Sequence, residues 1–341
     1  MTDASAQAQV KIGEGGCIPI VNFGPFLDGS NKQAVADAML ESFKSIGFVY
    51  LVNHGLPQEK IDEMFAWSKK FFDLPKETKM LAPHPPSGTH HRGYSAPHTE
   101  KVVQHLYDKD EIAASRAKAL DFKENFEVGR EEDELMPNIW LPDGILPGFK
   151  EACLDFFWTC NETKFKVLSA LALGLHLPED FFEPYHQVPD NQLRLLHYPS
   201  VPLESLQKEE VVRIGAHSDF GSLTLLMQDD IGGLEVENPG NPGEFGPAPP
   251  LKGSIMVNAG DFMMRWSNDI IRSTVHRVRA PPDLVTEDGM TPERYSIPYF
   301  CSTDFSTVVE CLPGTYSEER PKRYEPISAL DYIMKRLAAN Y

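Results

Sequence analysis

After Pro178 the chain becomes a succession of short apolar runs, each closed by Gly, Pro, Asn or Asp. This feature constrains the fold most, because many short strands at regular spacing pack as a sandwich or jelly roll. Strands are expected at Gln192–Tyr198, Ser222–Gln228, Gly233–Glu237, Ser254–Asn258, Phe262–Trp266, Thr274–Val278, Tyr295–Ser302 and Thr307–Cys311. Asn238–Pro250 is expected to be a long hairpin loop and Ala280–Pro292 a Pro-rich insertion, while Ser328–Leu337 reads as a closing helix.

The half before Pro178 is mixed. Met1–Gly16 is polar and small, and is expected to be a disordered tail. Ile18–Phe23 reads as an edge strand because of its proline. Val35, Ala38, Met39 and Phe43 recur at helical spacing within Asn31–Ile46, and Gly47 stops that helix before the strand Phe48–Val52. A second helix is expected over Pro57–Phe72, a loop over His84–His98, and a half-buried strand over Asp121–Val128, where polar and apolar residues alternate. The longest helix is expected from Phe149 to Leu175, burying Phe156, Phe157, Phe165, Leu168 and Leu171. No linker separates independent domains. Beyond the tail, residues 17–150 and 151–341 are expected to form one unit: a mainly β jelly roll (double-stranded β-helix) supported by N-terminal and central helices.

Composition narrows the function classes. With 50 acidic and 32 basic residues the formal charge is −18, which argues against binding nucleic acid. No apolar run approaches membrane-spanning length and no signal peptide is visible, so a cytoplasmic protein without a membrane partner is expected. The five cysteines are widely spaced and contain no C-x-x-C, which suggests neither a disulfide framework nor a zinc site.

Chemistry concentrates in two segments. His217-Ser218-Asp219 puts an imidazole and a carboxylate on one side of an extended chain. His276 lies far enough downstream to occupy another strand of the same barrel. Two His and one carboxylate can hold Fe(II) by one face and leave the other open. Each of the 11 histidines alone is more readily an ordinary residue; the weight comes from the combination. Beyond it, Arg294-x-Ser296 on a strand offers a guanidinium fork and a hydroxyl to a carboxylate. Asn258-Ala259-Gly260-Asp261 and Trp266-Ser267-Asn268 read as turns that shape the barrel.

His217-x-Asp219, Gly260-Asp261, Trp266-Ser267-Asn268, Arg272–Val278 and Arg294-x-Ser296 together resemble the isopenicillin N synthase-like branch of Fe(II)/2-oxoglutarate-dependent dioxygenases. Ile18–Phe23, Gly47–Tyr50, His54-Gly55 and Arg92-Gly93-Tyr94 resemble the N-terminal region of that family, so the likeness runs from about Ile18 to Leu337. The resemblance implies that His217, Asp219 and His276 bind iron, and that Arg294 and Ser296 hold the distal carboxylate of 2-oxoglutarate. Tyr198 matches the family tyrosine that often supports the co-substrate; the family often has Asn two residues earlier, where this chain has Leu196. It further implies that 2-oxoglutarate and O₂ are consumed to give succinate, CO₂ and an oxidised C–H bond in a second molecule, with ascorbate as an accompanying reductant. The enzyme would work as a monomer or homo-oligomer on a small molecule, a nucleobase or a secondary-metabolite intermediate being the substrates implied.

Three other readings stand beside this one. Isopenicillin N synthase uses no 2-oxoglutarate, but it carries a C-terminal Gln on its resting iron, and this chain ends Leu337-Ala338-Ala339-Asn340-Tyr341. A catalytically inactive small-molecule-binding jelly roll would have lost a ligand or the R-x-S pair. A zinc hydrolase would have no use for that pair. Toward the substrate, Arg194 shares a strand face with Tyr198 and can pair with an anionic or carbonyl-bearing molecule, against the alternative of a plain salt bridge. Tyr94 and Phe300 can stack on a planar substrate or belong to the core.

Overall fold

The computed structural model describes residues 9–11, 17–87, 89–100, 121–208, 210–281 and 284–338. Its strands are β1 (Gln9–Lys11), β2 (Cys17–Asn22), β3 (Phe48–Val52), β4 (Gly93–Ser95), β5 (Glu124–Val128), β6 (Gln192–Tyr198), β7 (Ile214–His217) and β8 (Leu223–Gln228), followed by β9 (Leu234–Glu237), β10 (Phe245–Pro247), β11 (Ser254–Ala259), β12 (His276–Val278), β13 (Arg294–Cys301), β14 (Val308–Val309) and β15 (Ile327–Ser328). The helices are α1 (Gly24–Leu27), α2 (Lys32–Ser45), α3 (Gln58–Phe72), α4 (Lys76–Lys79), α5 (Phe149–Gly174), α6 (Leu203–Gln207), α7 (Asp261–Trp266) and α8 (Ala329–Ala338).

A large sheet runs β1-β2-β3-β11-β8-β13-β6-β5-β4 and a small one β10-β9-β12-β7. Strand alternation divides the large sheet into two faces. Phe48, Tyr50, Leu196 and Met256 point toward the small sheet, where they share a core with Ile214, Leu234, Val236 and Val278. Val49, Leu51, Leu193, Leu195, Val257 and Ile297 point the other way and pack with residues of α2, α3 and α5. The result is a jelly roll: the small sheet closes one face and the helices close the other. Strands β2–β5, from the first 150 residues, sit in the same sheet as β6, β8, β11 and β13, so the sheet runs straight across the boundary at residue 150. Among the described residues no helix is long and apolar enough to cross a membrane.

Gly47 has a local reason to be glycine. It follows the last turn of α2 at φ +74, and a Cβ there would lie 2.6 Å from the Arg272 carbonyl and the Thr274 hydroxyl. The bare backbone lets the segment before β12 pass against the end of α2, which sets where His276 falls.

Several expectations are corrected. Phe262–Trp266 is not a strand but most of α7; Phe262, Met263 and Trp266 are buried together, and a short apolar run does not distinguish the two periods. Gln9–Lys11, within the expected tail, pairs antiparallel with Cys17–Pro19; the rest of residues 1–16 lies outside the described residues. The expected loop over His84–His98 contains β4, and the expected hairpin loop Asn238–Pro250 contains β10. In α5, Phe165 is only half-buried, its ring 4.3 Å from Lys164 Nζ, and Val167 takes its place in the stripe. Strand β5 is buried on both faces rather than one. Its polar residues turn into ion pairs and hydrogen bonds instead of solvent: Lys79 Nζ and His197 Nδ1 lie 2.8 and 2.7 Å from Glu124, and Arg194 pairs with Glu127.

Candidate active site

The small sheet positions two ligands at once. His217 ends β7, His276 opens β12, and the two are register partners in an antiparallel pair. Each ring is set by the same device: Nδ1 donates to the carbonyl two residues back, Gly215 at 2.9 Å and Thr274 at 3.1 Å. A carbonyl only accepts, so each Nδ1 is the donor and each Nε2 is turned toward Asp219. The two Nε2 atoms lie 3.9 and 3.8 Å from its Oδ1.

Asp219 is held from the large sheet. Its Oδ2 accepts from the Thr224 hydroxyl at 2.6 Å and from Asn258 Nδ2 at 2.7 Å, while Oδ1 is turned to the histidines. Thr224 on β8 and Asn258 on β11 are themselves register partners, so one rung of the sheet aims the carboxylate. Burial opposes ionisation of Asp219, but His276, His217 and the Thr224 and Asn258 hydrogen bonds outweigh it and keep its pKa below the usual carboxylate value. Burial, followed by His276, pushes His217 down to about 3, which leaves a neutral imidazole. Two imidazole nitrogens and one carboxylate oxygen, all within 4.8 Å of one another, are a donor set suited to Fe(II).

The turn carrying these ligands is clamped from behind. A Cβ on Gly260 would meet the Gly221 carbonyl at 2.3 Å, and one on Gly221 would meet the Cys301 carbonyl at 2.3 Å, so three backbones touch where the ligand loop crosses. Asp261 Oδ2 accepts from Tyr332 at 2.6 Å and from Arg336 Nη1 at 2.7 Å, both on α8. Arg336 Nη2 reaches the Ser218 carbonyl, between the two ligands of the H-x-D pair, at 3.3 Å.

One cavity opens between the sheets, lined by His217, Asp219 and His276 and, further along, by Tyr198, Arg294 and Ser296. Arg294 is buried opposite Tyr198 in the β13–β6 register. Its Nη1 donates to Ser296 Oγ at 3.2 Å, Nη2 to Gln228 Oε1 at 3.1 Å and Nε to the Gly232 carbonyl at 2.7 Å. All three partners are neutral, so a guanidinium, an amide and a hydroxyl converge with no carboxylate among them. Leu196 faces the same cavity and is the register partner of Ser296.

The three candidate substrate residues separate. Arg194 and Phe300 both line the cavity, with the guanidinium carbon 5.5 Å from the ring centre. Arg194 is also ion-paired, with Glu100 Oε1 at 3.3 Å from Nη1 and with Glu127 at Nη2. Tyr94 does not line it. Its register partner Phe126 faces the helices, and Tyr94 faces them too, donating its hydroxyl to Glu124. Thr224, Gln228 and Arg336 carry no motif in the sequence, and Asn258, expected where a strand runs into a turn, lies within β11. Period-two alternation places Thr224 and Asn258 on the face of their strands that also carries Leu226 and Met256, a detectable signal; Arg336 offers none.

Residues 18–143 match the model of the non-haem dioxygenase N-terminal region known from morphine synthesis, and residues 189–303 match the 2OG-Fe(II) oxygenase superfamily. A proline hydroxylase, buaE, from Petromyces alliaceus is 38% identical over 91% of this chain and 94% of its own length. A 2-oxoglutarate-dependent dioxygenase, frbA, from a Dothideomycetidae species is 38% identical over 95% and 97%. A full-length Neurospora crassa protein, solved in complex with alpha-KG and thymine, superposes with a TM-score of 0.87 at 41% identity, covering 97% of this chain and 99% of that one. Matched along nearly its whole length and built around the same jelly roll, the chain belongs to the 2OG-Fe(II) oxygenase superfamily, as an Fe(II)/2-oxoglutarate-dependent dioxygenase.

Proposed function

We propose that His217, Asp219 and His276 hold the Fe(II), that Arg294, Ser296 and Tyr198 receive the distal carboxylate of 2-oxoglutarate, and that Arg194 and Phe300 form the wall against which a neutral, planar, carbonyl-bearing small molecule is oxidised. Bound Fe(II) supplies the coupling of O₂ reduction to oxidative decarboxylation of 2-oxoglutarate, which yields succinate, CO₂ and an oxidised substrate C–H bond. The chain's own residues do the rest. The two imidazoles and the aimed carboxylate leave one side of the triad open, and Arg294 orients the co-substrate from the far end of the cavity.

The observation that carries the substrate reading is the ion pairing of Arg194. Glu100 and Glu127 already balance its charge, so it faces the cavity as a hydrogen-bond donor rather than an unpaired cation. A donor of that kind suits a carbonyl oxygen better than a second carboxylate. Phe300 beside it offers a flat face. A nucleobase fits this description, and the Neurospora crassa relative solved with thymine supports it. A second reading is an intermediate of secondary metabolism, and the relative buaE, a proline hydroxylase, supports a small amino-acid-like molecule as substrate. The formal charge of −18 supports a role without nucleic-acid partners, and the free thiols of Cys153, Cys160, Cys301 and Cys311 support a reducing, cytoplasmic setting.

The test is substrate-stimulated succinate formation by the Fe(II)-loaded enzyme, screened across free nucleobases, amino acids and small aromatic acids. Stimulation by neutral carbonyl heterocycles is expected. Stimulation confined to carboxylate-bearing candidates would overturn the neutral-substrate reading, and CO₂ release without any need for 2-oxoglutarate would overturn the co-substrate assignment.

A further inference from the structure

The co-substrate end of the cavity contains a second buried guanidinium. Arg213 is 1% exposed and immediately precedes Ile214, which lines the cavity. Its Nη2 donates to the Pro292 carbonyl at 3.2 Å, but Nε and Nη1 are buried and have no hydrogen-bond partner among the described residues. Its guanidinium carbon lies 5.7 Å from the centre of the Tyr198 ring, and that of Arg294 lies 4.9 Å from the same ring. Two cations therefore share one aromatic neighbour. The carboxylate acting on both is Asp229, and it already accepts from the backbone N–H groups of Ile231 and Tyr295. Buried Asp121 also acts on Tyr198, but among the described residues Asp229 is the only carboxylate whose charge acts on Arg213.

A buried guanidinium with unmade hydrogen bonds is costly unless an anion completes it. Resting on the co-substrate reading above, we propose that Arg213 is a positioning residue for 2-oxoglutarate. It stands as a second cation beside Tyr198, is balanced only when the distal carboxylate is seated on Arg294, and sets the preference for dicarboxylic over monocarboxylic keto acids. The charges acting on Arg213 explain the arrangement: among the described residues Arg294 and Asp229 oppose each other there, so the charge of Arg213 itself is left for an incoming carboxylate to balance. A keto acid ending in a methyl group would leave both guanidiniums facing each other across an apolar end. Burial and then the charge of Arg294 pull the pKa of Arg213 down to about 10.

The experiment measures binding of 2-oxoglutarate and of 2-oxopentanoate, which has the same chain without the distal carboxylate, to the Fe(II)-loaded protein under anaerobic calorimetry. R213M is expected to weaken 2-oxoglutarate by about 10- to 100-fold and to change 2-oxopentanoate by no more than about twofold. The thermal midpoint without co-substrate should stay level or rise in R213M, because a repelling charge is gone, while the rise produced by 2-oxoglutarate should shrink. A purely structural arginine would instead lower the free midpoint and weaken both keto acids alike, and that result overturns the proposal. So does 2-oxoglutarate affinity unchanged in R213M. If R213M does not fold, R213Q keeps a donor to the Pro292 carbonyl and carries the same expectations. R294M separates the two levels: unchanged 2-oxoglutarate binding there removes the co-substrate site itself, whereas loss in R294M with none in R213M removes only the role of Arg213.

Discussion

His217 and His276 stand directly opposite each other across β7 and β12, with ring centres 4.3 Å apart. Antiparallel pairing of two very short strands turns residues distant in sequence into one pair of nitrogens, and the same backbone contact sets the tautomer of both. The third ligand comes from outside this pair, from a loop whose carboxylate is aimed by the other sheet. The candidate metal centre is thus assembled across the sandwich, and its geometry depends on how the sheets face each other.

Removing a donor to Asp219 tests that aim. Thr224→Val and Asn258→Ala each remove one donor from Asp219 Oδ2 without touching a ligand. Each is expected to weaken Fe(II) affinity by roughly 10- to 100-fold, the usual effect of losing a partner that orients a metal ligand. Anaerobic metal titration of the folded variants measures it; affinity at the wild-type level in both would show that Asp219 needs no such support.

These two residues also show what the sequence could convey. The H-x-D pair, the later His and the R-x-S pair are local patterns, and they were readable because each is a chemical group at a fixed short spacing. Thr224 and Asn258 look ordinary until β8 and β11 are laid side by side, because their role is created by strand register. The same limit explains Tyr94: a loop motif suggested exposure to a substrate, and its pairing with Phe126 turned it to the helices. Strand β7 is only four residues long and β12 three, too short for alternation to register. The Arg194–Glu127 and Arg336–Asp261 pairs join segments that no sequence period connects.

Arg294→Ala is expected to weaken 2-oxoglutarate binding by about 100-fold or more, since hydrogen bonds to an ionised partner contribute about 1.5–3 kcal/mol each and a fork makes two. Fe(II) affinity should be spared, because Arg294 contacts none of the three ligands in the hydrogen bonds it makes. Calorimetry with 2-oxoglutarate reads the first effect and metal titration the second. Retained co-substrate affinity would remove the assigned role.

Arg336→Leu tests the clamp behind the ligand loop. It leaves the Asp261 carboxylate buried without its cation, and breaking a buried pair in this way costs about 3–5 kcal/mol. Urea unfolding should show that loss. Because Arg336 also holds the Ser218 carbonyl between the two ligands, Fe(II) affinity should fall in the same variant. A stable variant with weakened iron binding, or the reverse, would separate the two jobs assigned to this side chain.

His186 gives a pH-dependent test away from the metal ligands. It is buried, with Nδ1 2.7 Å from the Phe182 carbonyl and Nε2 2.9 Å from the Ser222 hydroxyl, so the neutral ring donates at one end and accepts at the other. Burial, and then the charge of Lys164, push its pKa down to about 3. In the unfolded chain the ring titrates near its usual value of about 6.5. Between those values the unfolded state binds the extra proton, so the stabilisation contributed by His186 is complete above about pH 6.5 and is lost as pH falls, by about 1.4 kcal/mol per unit. His186→Gln removes this term. The stability gap between wild type and His186→Gln in metal-free urea unfolding should therefore narrow by about 2 kcal/mol between pH 7 and pH 5. A gap that stays constant over that range would mean that His186 takes up its proton in the folded protein as readily as in the unfolded chain.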